Sequence, residues 1–93
     1  MKLVKVIWLD TNETSNSGWC TTEEAKQARP CKIASVGYIV NETSEFITIA
    51  ADIDANKLEE EQDDLLGRVQ CFPIGCVISI IDYKEENERE SIN

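Results

Sequence analysis

CKIASVGYIVNETSEFITI, residues 31–49, decides how the rest of the chain must be arranged. Val36, Tyr38, Ile39 and Val40 form one β-rich run, and Phe46, Ile47, Thr48 and Ile49 form a second. The polar residues Asn41, Glu42, Thr43, Ser44 and Glu45 lie between them, so the stretch reads as a hairpin. A lone hairpin is marginal in water. Its apolar face therefore calls for further strands, and the chain offers candidates on both sides.

On the N-terminal side, residues 2–9 place Val4, Val6 and Trp8 on one parity and Leu3, Ile7 and Leu9 on the other. A strand apolar on both faces is expected to be covered on both, by partner strands on one side and a subunit or helix on the other. The apolar run is short, is interrupted by Lys5 and ends at Asp10, which reads as a first strand and not as a signal peptide. Residues 10–18 are a polar loop rich in Asn, Ser, Thr and Gly. Trp19 follows it, and the simplest role for that indole is to anchor the loop on the core, with Asp10 accepting backbone donors at its entry. Thr21 and Glu24 have capping-box spacing, predicting a two-turn helix through Ala28 that Pro30 stops. It lacks an apolar stripe, so it would be a small lid or a mere turn.

On the C-terminal side, residues 54–67 (DANKLEEEQDDLLG) read as an acidic insertion, either a mobile loop or a short helix closed by Gly67. Residues 68–72 and 76–81 are a fourth and a fifth strand, joined tightly through Pro73, Ile74 and Gly75. The fifth, with Val77, Ile78, Ile80 and Ile81, should be well covered. Residues 83–93 are polar and read as a flexible acidic tail, leaving 1–82 as one domain. Five short strands, a long first loop, a short helix and a tight turn before the last strand predict a mainly β chain, a small SH3-like or Sm-like barrel. An OB-type barrel is the alternative, because residues 54–67 occupy the place of its helix.

The chain resembles a group of small proteins of bacteriophages and prophages, mostly of unknown function. The likeness rests on Trp8 with Asp10, Gly18 with Trp19, Pro30, Val36 with Gly37, Glu42, Ala50, and Pro73, Gly75 and Cys76. That group tends to have isoleucine and lysine around the proline, where this chain has Phe72 and Ile74. The resemblance implies a phage origin, hence the host bacterial cytoplasm, and a compact β-barrel. It implies no catalytic or binding residues.

Composition narrows the function classes. The 93 residues, 42% of them hydrophobic, suffice for one modest core, and no apolar run is long enough to span a membrane. The net charge of -9 is uneven: residues 1–40 carry five basic and four acidic side chains, residues 41–93 four basic and fourteen acidic. Long nucleic acid and anionic membrane surfaces are therefore poor partners. With no histidine, no phosphate loop and no nucleophile elbow, a non-enzymatic chain without cofactor or metal is expected; a hydrolase built on Asp10 with Glu42 or Asp82 is the remote alternative. The cysteines, Cys20, Cys31, Cys71 and Cys76, lack paired zinc-knuckle spacing and read as small buried hydrophobes.

The candidate ligand or interaction residues are Trp8, Asp10, Trp19, Tyr38 and Glu42, with Trp8, Trp19, Tyr38 and Phe72 as a potential aromatic platform for a base. The leading expectation is a phage accessory protein that binds or modulates a host protein. The alternatives are an oligomeric sponge for a small nucleotide signal and a structural, virion-associated role. The doubly apolar first strand predicts a homo-oligomer, at least a dimer.

Overall fold

The computed structural model describes residues 1–13, 15–54 and 65–83. Five strands form one antiparallel sheet: β1 (Leu3–Asp10), β2 (Cys31–Glu42), β3 (Phe46–Ile53), β4 (Leu66–Pro73) and β5 (Val77–Asp82). Their order is β4-β3-β2-β1-β5: the first four strands meander, and the last returns to pair with the first. A 3-10 turn, Ile74–Cys76, makes the tight connection before β5. This is a mainly β protein on the SH3-like or Sm-like plan. An OB-type Greek key would interleave the strands, and none of the pairings found here does so.

The sheet folds over because two strands carry irregularities and one is long. β2 pairs with β1 from Tyr38 back to Cys31, and with β3 from Tyr38 on to Glu42, so its two halves serve different neighbours. The register shifts at Val40 in β2, between Ile39 and Asn41, and at Ile78 in β5, opposite the step from Ile7 to Trp8. Such irregularities bend a strand and increase its twist. Gly37 marks the close approach: a β-carbon there would lie 2.8 Å from the carbonyl oxygen of Ala50.

Of the two apolar parities of β1, the one that carries Val4, Val6 and Trp8 faces inward. Val4, Val6, Ile47, Ile49 and Phe72 form the buried core, and Trp8, Ile39, Ile74, Val77 and Ile80 pack around it. The β2–β3 turn is closed by the Thr43 hydroxyl, which accepts from the amides of Glu45 and Phe46, both at 3.1 Å. The amide of Ile74 donates to the carbonyl of Glu45 at 2.9 Å, fastening the 3-10 turn to that hairpin.

The capping box is present as well. The Glu24 amide donates to the Thr21 hydroxyl at 3.2 Å, and the Thr21 amide donates to Glu24 Oε1 at 3.1 Å. That donation holds the Glu24 carboxyl below its ordinary range. Helix α1 (Thr22–Gln27) buries no residue, so it is a connector and not a lid.

Three expectations need correction. β5 is incompletely covered: Ile78 is 50% exposed and Ile81 47%. The cysteines are free thiols with Cys20, Cys71 and Cys76 exposed and Cys31 half-buried, so they are not core residues. Leu66 and Gly67 belong to β4 and not to the acidic insertion. Residues 55–64 of that insertion and residues 84–93 of the expected tail lie outside the described residues. The neck of the insertion is closed by the Asp54 amide, which donates to the carbonyl of Leu65 at 3.1 Å. Next to it Arg68 takes a positive φ of 51° and grips Asp52 with two guanidinium nitrogens, at 2.8 and 3.0 Å. This fork holds the Asp52 carboxyl below its usual range. No helix among the described residues is long and apolar enough to cross a membrane.

Candidate binding cleft

The curl of the sheet brings the end of β1 against the end of β4, strands that are not neighbours in the order. Between them lies a cleft of about 410 Å³, lined by Trp8, Asp10, Gln70, Cys71, Phe72 and Cys76 together with Leu9, Thr11 and Pro73. That volume falls within the range of small-molecule sites, roughly 300–1,000 Å³.

Trp8 and Phe72 supply its aromatic wall, with ring centroids 4.9 Å apart and planes tilted by 51°. Phe72 is buried in the core, whereas Trp8 is only half-buried. The indole nitrogen of Trp8 donates to the Ser35 hydroxyl at 3.0 Å, across the β1–β2 ladder. Its polar atom is thus satisfied, the ring is fixed, and what it offers the cleft is carbon surface. At the rim, Asp10 accepts from the Thr11 amide at 2.8 Å, the local bond expected at the loop entry. Asp10 is exposed and, when ionised, acts only as an acceptor. Gln70 lies on the β4 wall and can both donate and accept. Among the described residues, no lysine or arginine lines the cleft.

A second hollow, about 450 Å³, lies between the first loop and α1 and is lined by Asn12, Glu13, Glu24, Gln27, Ala28 and Arg29. Its one cation is already committed: Arg29 donates to the carbonyls of Ala28 at 2.7 Å and Lys26 at 3.4 Å. The β1–β4 cleft therefore has the better recognition chemistry, an aromatic wall with acceptors at its rim.

Of the five candidate residues, Trp8 and Asp10 meet at this cleft. Tyr38 is registered opposite Leu3 and Ala50, on the other parity of β2 from Ser35 and Gly37, and Glu42 ends that strand opposite Ile47. Trp19 stands apart in the first loop, 85% exposed, so it anchors nothing in the core. The expected four-residue aromatic platform reduces to Trp8 and Phe72. Gln70, Cys71 and Cys76 were not among the candidates. One signal for Gln70 was available: it shares the inward parity of Phe72 and is registered opposite core Ile49, an unusual place for an amide.

Trp19→Ala is expected to cost under about 1 kcal/mol, because little surface is uncovered and no cavity forms. Urea unfolding should give an unchanged midpoint and slope. A loss of several kcal/mol would mean that the indole is buried in solution.

Comparison with known proteins gives no match: no protein-family model fits the chain, and neither a curated protein nor a solved structure is significantly similar to it.

Proposed function

We propose that the protein is a non-enzymatic interaction module, a bacteriophage accessory protein that works in the host cytoplasm as a homodimer and binds a host protein. The observation that supports this reading is the outer face of the sheet. Val36 and Ile81 flank Lys5 on the two strands beside β1, and each is 47% exposed. Ile7 follows two residues along β1 on the same parity, and exposed Leu9 two further. Exposed apolar side chains grouped around a single lysine in this way suit an interaction surface. A second copy fits it, since a two-fold pairing sets the same strip against itself. The acidic balance of residues 41–93 then favours a basic surface on the host partner.

Sedimentation equilibrium of the wild type and of a Val36→Lys/Ile81→Lys variant tests the dimer. The wild type should run near twice its 10.5 kDa mass at micromolar concentration, and the variant at 10.5 kDa. A wild type found only at 10.5 kDa removes the dimer. For the host partner, cross-linking in a bacterial host should recover a basic protein whose association weakens above roughly 0.5 M salt. Recovery that is insensitive to salt would contradict the charge-matched partner.

A further inference from the structure

We infer that the β1–β4 cleft is a site for a planar nitrogen heterocycle of the nucleobase type, held by stacking on Trp8 and by N–H donation to Asp10, without a phosphate contact. Val36 and Ile81 take no part in lining the cleft, so this site is independent of the outer-face dimer.

Three features of the cleft point to that class. Its wall is aromatic and preorganised: the Trp8 ring is fixed by Ser35 on one side and packed on Phe72 on another. A flat π-system is the ligand that such a surface holds best, and stacking accepts any base. Its rim carries Asp10, whose carboxylate can only accept, and its β4 wall carries Gln70, which can donate and accept. A ligand edge rich in N–H groups matches this pair. Guanine, with a ring N–H beside an amino group, matches a carboxylate in particular. The third feature is electrostatic. Among the described residues no lysine or arginine lines the cleft, Asp10 stands at its mouth, and the chain carries a net charge of -9. A phosphate placed there would meet repulsion and find no counter-charge.

The cysteines make the site testable. Cys76 lines the cleft and is exposed, whereas the side chains of Cys71, of the parity opposite to Phe72, and of Cys20, in the first loop, are exposed away from it. Alkylation by iodoacetamide, read site by site by mass spectrometry, therefore has an internal control. Fluorescence provides a second readout: the chain has two tryptophans, and Trp19→Phe leaves Trp8 as the sole tryptophan, excited selectively over the tyrosines at the red edge of its absorption. The probes are guanosine, adenosine, cytidine and uridine, each paired with its 5′-monophosphate.

Guanosine is expected to quench Trp8 saturably with a dissociation constant below about 1 mM, and to slow alkylation of Cys76 while leaving Cys20 unchanged. Guanosine 5′-monophosphate should bind at least about threefold more weakly at low salt. Asp10→Asn should weaken guanosine about tenfold or more with an unchanged unfolding midpoint, since a charge-assisted acceptor is lost and no packing is. The inference is overturned if none of the four nucleosides gives saturable quenching or protection. Tighter binding of the monophosphate than of the nucleoside overturns it too, as does protection that includes Cys20, or an Asp10→Asn variant with wild-type affinity. None of these outcomes touches the dimer, which stands or falls by sedimentation.

Discussion

Ile47→Ala is expected to lower the unfolding free energy by about 3–5 kcal/mol, the upper part of the range for truncating a buried isoleucine. Ile47 is fully buried and registered opposite Phe72 on one side and Glu42 on the other, in the part of the core where β2, β3 and β4 meet. Removing three carbons uncouples the Phe72 ring from the sheet and leaves a cavity that the ladders on both sides prevent from collapsing. For a domain of this size, with a total stability of roughly 5–15 kcal/mol, a loss of that order brings the variant close to unfolding at room temperature. Urea titration followed by far-ultraviolet circular dichroism would read the shift as a lower midpoint with an unchanged slope. Ile78→Ala is the control, because that side chain is half exposed; its cost should stay under about 1 kcal/mol. Equal losses at the two positions would contradict the placement of the core.

Gly37→Val should cost about 3 kcal/mol, at the top of the usual range for overpacking. The reason is the nature of the obstacle. A β-carbon at Gly37 would sit 2.8 Å from the oxygen and 3.1 Å from the carbon of the Ala50 carbonyl, and a backbone group cannot turn aside as a flexible side chain can. β2 and β3 would have to part near the Tyr38–Ala50 pair, beside the irregularity that already bends β2. Amide hydrogen exchange should then rise along β3 as well as β2. Gly75 is the contrast: a β-carbon there would meet nothing within 4 Å, and its φ is not positive. Gly75→Ala should be neutral or stabilising by up to about 1 kcal/mol, since alanine restricts the unfolded chain more than glycine does. A tolerated valine at 37 would mean that the strands do not approach each other this closely.

Much of the fold was legible because it rests on short-range chemistry. The Thr21–Glu24 capping box needs four residues, and both of its hydrogen bonds are made. The turn after β2 needs a hydroxyl at Thr43 and two amides within reach, and it has them. The tight connection that Pro73, Ile74 and Gly75 suggested is present, as a 3-10 turn over Ile74–Cys76 followed at once by β5. Strand parity in β1 grouped Val4, Val6 and Trp8 on one face, because the period of two follows from the backbone alone, but with both faces apolar it did not say which face points inward.

The candidate site was legible only in part. Trp8 and Asp10 could be named from the first strand, but nothing local indicated that they would face Gln70, Cys71 and Phe72 from a strand far along the chain. Trp19 shows the converse error. A large aromatic after a polar loop is expected to seek the core, yet burial requires a surface at the right place and angle, and this loop runs where the barrel offers none; the indole remains 85% exposed. The cysteines were misjudged for a related reason. Cysteine is commonly buried, but Cys71 lies on an edge strand with the parity opposite to Phe72, and Cys76 lies on the 3-10 turn, so both meet solvent.

By itself the sequence determined the strands, the helix cap, the turns and the sign of the surface charge, all of which depend on residue chemistry and on contacts within a few positions. Only the tertiary structure decided that β5 returns to β1 and not to β4, that β2 passes close over Ala50 at Gly37, and that the ends of β1 and β4 enclose a cleft. Those outcomes depend on pairings between segments tens of residues apart. There the total burial of Ile47, Ile49, Phe72 and their partners outweighs what any single segment prefers, and no local pattern encodes that sum.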